Sequence, residues 1–174
     1  MTLTPMTKMP SENHIANFTI RPATPGDVAV IFNLIRQLAE YEKLSHIVVG
    51  NETMLHDALF GKHLAGEVVL GMENGEPVGF ALYYTTFSTF LCRAGIHLED
   101  LFVLPAKRGQ GYGKALLKHL AHIAVQRNCG RLEWNVLDWN TPSLKFYDSI
   151  GGVHMKDWWL YRMTHDRFSA FANQ

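Results

Sequence analysis

Between Leu98 and Lys118 an apolar run of strand character empties into a loop with glycine at every second position, and that loop opens directly into a helical pattern. Ile96, Leu98, Leu101, Phe102, Val103 and Leu104 read as a buried strand, which Pro105 ends. Leu116, Leu117, Leu120, Ala121 and Ala124 then recur with helical spacing. The glycines therefore stand at a helix start. Gly109, Gly111 and Gly113 have no side chains to hold a ligand off their N–H groups, and the helix end adds unpaired donors and the positive pole of its dipole. Such a loop suits a pyrophosphate; the alternative is a flexible strand-to-helix connection that binds nothing.

Spacing separates the known phosphate loops. A P-loop needs Gly-x-x-x-x-Gly-Lys-Ser/Thr, but Arg108 occupies the first glycine position and Ala115 follows Lys114 in place of a hydroxyl. A dinucleotide fingerprint needs Gly-x-Gly-x-x-Gly, and here the third glycine falls one residue early, at Gly113. Arg108-Gly-Gln-Gly111-Tyr-Gly113 instead resembles the Arg/Gln-x-x-Gly-x-Gly/Ala signature of the GNAT N-acetyltransferases. Tyr41-Glu42-Lys43-Leu44, Tyr83-Tyr84, Leu98-Glu99-Asp100, Val136-Leu137-Asp138-Trp139-Asn140 and Phe146-Tyr147 recur in the same order in the spermidine/spermine acetyltransferase branch, which includes the thialysine acetyltransferases. The resemblance covers roughly Phe18 to Met163.

It implies an α/β fold of GNAT type, a mixed, curved sheet flanked by helices and splayed near Leu101. It also implies acetyl-coenzyme A as co-substrate. Leu101, Phe102 and Val103 would hold the pantetheine arm, and Arg108, Gly109, Gln110, Gly111, Tyr112, Gly113 and Lys114 the phosphates. Asn140 and Ser143 complete the cofactor set, and a homodimer is expected.

Composition is consistent with this. The chain has 174 residues, 47% apolar and 18% charged, enough for one globular domain with a real core. Sixteen basic and sixteen acidic residues cancel, which argues against a nucleic-acid or membrane surface and for a small-molecule partner. Cys92 and Cys129 form no Cys-x-x-Cys pair, and neither a signal-like start nor a run of about 18 apolar residues is present. A cytoplasmic protein with reduced thiols is expected.

Along the chain, residues 1–17 read as a mobile tail and 18–174 as the domain. Phe18 to Arg21 reads as a strand; Thr24-Pro25-Gly26-Asp27 opens a helix with Val28, Ile31, Ile35 and Leu38 as its buried stripe. Asn51 caps a second helix that runs to Phe60 and closes at Gly61. Asn74-Gly75 turns a hairpin between Glu67–Met72 and Val78–Phe87, and Ser88 to Gly95 reads as a loop. Beyond the glycine loop come a helix to about Gln126, a strand Arg131 to Val136, a helix Pro142 to Ile150, closing strands over Val153 to Met163, and a final helical turn from His165.

Acetylating an amine poses two proton problems. An alkylammonium titrates near ~10.4, so exposing the neutral nucleophile at neutral pH costs roughly 4 to 5 kcal/mol unless a base takes the proton. Glu99 and Asp100 are adjacent on the central strand, so a regular pleat sends them to opposite faces; Glu99 is the first choice for the base and Asp100 the second. Either carboxylate also reads as a structural group that caps a helix or pairs with a lysine. The departing thiolate needs a donor. Tyr147 shares a helix face with Asn140 and Ser143 and matches the branch's proton-donating tyrosine; a tyrosine on an amphipathic helix otherwise reads as core.

Through the resemblance Tyr41, Glu42, Glu99, Asp100 and Asp157 become contacts to an amine, although Glu42 reads equally as a solvated helix end. The segment from Gly151 to Trp159 is shorter than in the animal polyamine enzymes, and Val136–Asn140 is closer to the thialysine type. The acceptor is therefore open among polyamine, diamine, thialysine and lysine. A protein-lysine acetyltransferase and a catalytically silent acyl-coenzyme A sensor remain as rivals. An acyl-cysteine route lacks a histidine partnered with either thiol, and His119 and His122 have no third ligand for a metal.

Overall fold

The computed structural model describes Ile15 and residues 17–174; the tail reading therefore lies almost wholly outside the described residues. The chain divides into two compact units, one ending at Asn135 and the other running from Val136 to Gln174.

The first unit holds a five-stranded sheet in the order β1 (Phe18–Pro22), β2 (Glu67–Glu73), β3 (Glu76–Ser88), β4 (Arg93–Val103) and β5 (Leu132–Trp134). The first four pair antiparallel with their neighbours and β5 joins β4 in parallel, so the sheet is mixed. Helices α1 (Val28–Tyr41) and α2 (Glu52–Phe60) cover one face, and α3 (Tyr112–Gln126) covers the other. The alternation of β2 shows the division: Leu70 joins Ile31, Leu34, Leu38, Phe80 and Phe102 in one core cluster, whereas its neighbour Gly71 lies against Phe18 and Leu116.

Local signals place the elements. Thr24 and Asp27 form a reciprocal capping box before α1, with Pro25 in the first turn. Asn51 Oδ1 accepts from the Met54 N–H at 2.9 Å, which stops one of the four open donors of α2 from being wasted. Asn74 and Gly75 both have positive φ, 51° and 87°, as a tight hairpin turn of primed type requires.

Three expectations fail. Ser88 to Gly95 is not a loop: β3 and β4 remain paired out to Ser88 opposite Arg93, and only residues 89–92 turn. The strand expected over Arg131 to Val136 shrinks to Leu132–Trp134. Val153 to Met163 forms no strand; Trp158, Trp159, Leu160 and Tyr161 are all largely exposed. Apolar residues in sequence give a segment strand propensity, but a strand exists only through a ladder with a neighbour, and among the described residues this segment has none.

Close packing within the sheet is tightest at Gly79. A Cβ there would sit 2.5 Å from the carbonyl oxygen of Phe102 on the paired strand. Gly79→Ala is expected to destabilise the protein by about 1–3 kcal/mol, read as a lowered urea midpoint at unchanged slope. An unchanged midpoint would mean that β3 and β4 separate there at no cost.

Candidate functional site

The site begins with a defect in β4. Leu82 pairs with Asp100 and Tyr83 with Leu98, so Glu99 has no opposite number and forms a β-bulge. On unbroken β3, Leu82 and Tyr84 share a face, and so therefore do their partners Asp100 and His97. Glu99 Oε2 lies 3.9 Å from His97 Nε2, which turns it toward the same side. The sequence-based expectation that Glu99 and Asp100 leave opposite faces is thus corrected: the extra residue breaks the alternation, and the two carboxylates act on each other. Their surroundings still differ. Glu99 is exposed, beside a His97 ring that stacks on Tyr84 with centroids 5.0 Å apart, whereas Asp100 turns into a cleft.

That cleft, of about 510 Å³, lies between α1, α2 and the segment that joins them. Ile35, Leu38, Val48 and Leu55 give it apolar walls, and the charged side chains in its lining are Glu42 and Asp100. Glu42 stands where α1 stops, as the C-cap residue. Burial pushes the Asp100 carboxyl up to about 7, and the charges of Glu99 and Glu42 add to the effect. Burial also raises Glu42 above the usual carboxylate range. Two carboxylates in apolar walls repel each other and lack solvation; a bound cation relieves both penalties. Tyr41 is placed elsewhere: its ring lies under the Arg108 guanidinium, 4.2 Å from carbon to centroid.

A second opening lies along β4. Its parallel partner β5 stops at Trp134, opposite Leu98, so among the described residues no strand pairs with 99–103 on that edge. The sheet therefore splays just before Leu101. Arg108 Nε donates to the Val103 carbonyl at 3.1 Å, and its guanidinium covers Phe102 as well as Tyr41, which ties the glycine loop to the end of this open edge. Gly109 and Gly111 have φ of 77° and 88°, conformations that favour glycine, and a Cβ on Gly109 would meet nothing within 4 Å. Gln110 and Lys114 are exposed, and α3 starts at Tyr112 with Gly111 as N-cap. Tyr112 itself is buried, 3% exposed, so its side chain anchors the loop and does not face solvent.

In the second unit, α4 (Thr141–Ser149) is capped by Asn140, whose Oδ1 accepts from the Ser143 N–H at 3.3 Å. Asn140 is buried; Ser143 and Tyr147 are half-buried, and the Tyr147 ring lies 5.2 Å from that of Phe146. Asp157 is exposed, in a turn within the Val153–Met163 segment, and α5 (His165–Ala172) follows. Among the described residues no group of three or more His, Cys, Asp or Glu is placed to hold a metal ion, and no helix is long and apolar enough to cross a membrane. His119 is half-buried, with its pKa lowered by that burial and then by His122.

Sequence reasoning missed the segment after α1. Ile47, Val48 and Val49 wall the cleft, and only their apolar character ahead of Gly50, in a stretch too short for an element, marks them.

Comparison with known proteins finds relatives in sequence and in fold. The family model described as the acetyltransferase (GNAT) family matches residues 35–151. The thialysine N-epsilon-acetyltransferase of Bos taurus is 36% identical over 167 residues, which is 89% of this chain and 97% of the relative. The L-ornithine N5-acetyltransferase of Arabidopsis thaliana is 30% identical over 196 residues, covering 87% of this chain and 86% of the relative. Among solved structures, an integron cassette protein from the mobile metagenome of V. cholerae superposes with a TM-score of 0.76 at 28% identity, over 91% of this chain and 99% of the other.

Proposed function

Because the chain belongs to the acetyltransferase (GNAT) family, we propose that it moves an acetyl group from acetyl-coenzyme A to a primary amine of a small diamine or lysine-like molecule, by direct transfer in a ternary complex. The observation that carries the amine is the cleft: two carboxylates in an otherwise apolar lining suit an ammonium on a methylene stem.

The residues present also fit the co-substrate. The splayed edge over Leu101, Phe102 and Val103 leaves strand backbone open to an extended pantetheine arm. Arg108 through Lys114 form an open, glycine-rich helix start that suits a pyrophosphate. Bound there, acetyl-coenzyme A supplies an activated acetyl group and departs as a thiolate. The chain's own groups handle the protons. Asp100, poised near neutrality inside the cleft, takes the ammonium proton when ionised, and Glu99, exposed beside it on the bulge, passes it to solvent. The bulge thus puts Asp100 ahead of Glu99, the reverse of the order the sequence favoured. Tyr147 Oη donates to the sulfur as the C–S bond breaks and regains a proton as the nitrogen, now bonded to the acetyl carbon, gives up its second one on becoming an amide; Asn140 and Ser143 set the start of the Tyr147 helix. Glu42 holds the charge of the amine, and Asp157 is a candidate for its far end. In this reading residues 18–174 act as one domain, in a cytoplasmic homodimer, which sedimentation of the purified protein tests.

Free-thiol release from acetyl-coenzyme A, measured against putrescine, spermidine, spermine, thialysine, ornithine, lysine and a lysine peptide, is the test. Turnover on a small amine is expected. Turnover on the peptide alone would replace the reading with a protein acetyltransferase, and cofactor binding without turnover on any acceptor would replace it with a sensor.

A further inference from the structure

The glycine loop is flanked by two side chains that reach back to one carboxylate. Lys107, at the end of the short 3-10 turn Pro105–Lys107, forms an ion pair with Glu73. Tyr112, at the first position of α3, donates its hydroxyl to the other oxygen of the same carboxylate. Glu73 is the last residue of β2, beside the Asn74-Gly75 turn, so it belongs to the rigid sheet and not to the loop. The Tyr112 ring is fixed further: it stacks on Phe18 of β1 with centroids 4.2 Å apart and planes 5° from parallel, and the Gln110 side-chain amide lies 3.1 Å from its hydroxyl. The Lys107 ammonium, then the Tyr112 hydroxyl, hold Glu73 below the usual carboxylate range, so the clamp is charged at neutral pH.

We propose that Glu73 is a positioning residue for acetyl-coenzyme A, holding the two ends of the Arg108–Gly111 loop through Lys107 and Tyr112 so that its backbone amides face the pyrophosphate before the ligand arrives. The inference rests on the reading that this loop takes the phosphates.

Its physical basis is entropy. A loop with two glycines in left-handed conformations has more freedom to lose than any other, and an unanchored one would lose it on binding. Anchors at both ends move that loss into folding, and preorganisation then appears as affinity. The same contacts explain why Lys107, although basic and next to the loop, is not itself a phosphate ligand in this scheme: its ammonium is already neutralised by Glu73. Glu73 touches no reacting atom, so its effect belongs on cofactor binding and not on the chemical step.

The experiment is calorimetric binding of coenzyme A to the full chain, together with KM for acetyl-coenzyme A, KM for the amine and kcat. Glu73→Ala is expected to weaken coenzyme A binding about tenfold, the loss usual for a hydrogen bond to a charged group, with kcat at saturation and amine KM within about twofold of wild type. Tyr112→Phe keeps the stack on Phe18 and removes the donor, so it reports on the clamp even where Glu73→Ala folds poorly, and it is expected to weaken binding in the same direction. Glu67→Gln, which loosens the surface pair of Glu67 with Arg127 on the same strand, is expected to change nothing. Wild-type affinity in both clamp variants would overturn the inference and leave the proposed function standing; so would an equal loss in Glu67→Gln, which would make the effect one of general sheet stability. No coenzyme A binding by the wild type would overturn both.

Discussion

Asp100→Asn is expected to lower kcat/KM for the amine on the order of a hundredfold and to remove the rise of that parameter through pH 7. The side chain keeps its shape and loses only its capacity to take a proton. Asp100 lies in the cleft with its carboxyl pushed up to about 7 by burial, then by Glu99 and Glu42. A base with that value is half ionised at neutral pH and still basic enough to draw a proton from a bound ammonium, the compromise that general-base catalysis favours. Wild-type kcat/KM should therefore climb as pH rises through about 7, and the variant should lack that limb.

Stability should run the opposite way. Below the usual carboxylate range both states hold the proton; between that range and about 7 the folded chain keeps it while the unfolded chain has released it. Stability attributable to this group therefore falls as pH rises across that window and levels off above it. Asp100→Asn carries no charge at any pH, so it should flatten this part of the profile and raise the urea midpoint above pH 7. A variant that gains stability while losing rate marks a strained functional group and not a structural one. If Asp100→Asn turns over normally and Glu99→Gln does not, the proton goes to the bulge residue instead.

Tyr147→Phe is expected to cut kcat by about a hundredfold while coenzyme A binding stays within about twofold of wild type. A hundredfold sits at the low end of acid catalysis for a chemical reason: a thiol titrates near about 8.5, so its thiolate leaves far more readily than an alkoxide or amide and needs less help. The structural support lies in α4, where the Asn140 cap fixes the first turn and the half-buried Tyr147 follows one face further along. Loss of the hydroxyl removes no packing volume from the ring beside Phe146, so the helix should survive the change. Unchanged kcat in a folded variant would mean that the sulfur takes its proton from solvent.

Much of the fold is readable along the chain, wherever the deciding interaction spans a few residues. The Asn51 cap acts on Met54, the Thr24–Asp27 box closes over three positions, and Asn74-Gly75 needs only its own positive φ values. The glycine loop belongs to this class, since its chemistry comes from missing side chains and an adjacent helix start. Those local terms, with apolar periodicity, marked a buried strand that runs through a phosphate-type loop into a helix; the family resemblance supplied the α/β fold and named Glu42, and the chemistry of acetyl transfer singled out Glu99 and Asp100. Sequence could not decide what needs partners far along the chain. The bulge at Glu99 arises from the register of β4 against β3, and it turns both carboxylates to one face while leaving Asp100 half-buried and Glu99 exposed. The carboxylate of Glu73 meets the Tyr112 hydroxyl 39 residues away, and the end of β5 at Trp134 sets where β4 splays. The segment from Val153 to Met163 makes the same point in reverse: its residues favour a strand, but pairing is a property of two segments, and no neighbour among the described residues supplies it. Local chemistry thus determined which groups this protein has to work with, while tertiary register and burial decided which way they point and at what pH they are charged, because both depend on surfaces brought together only by folding.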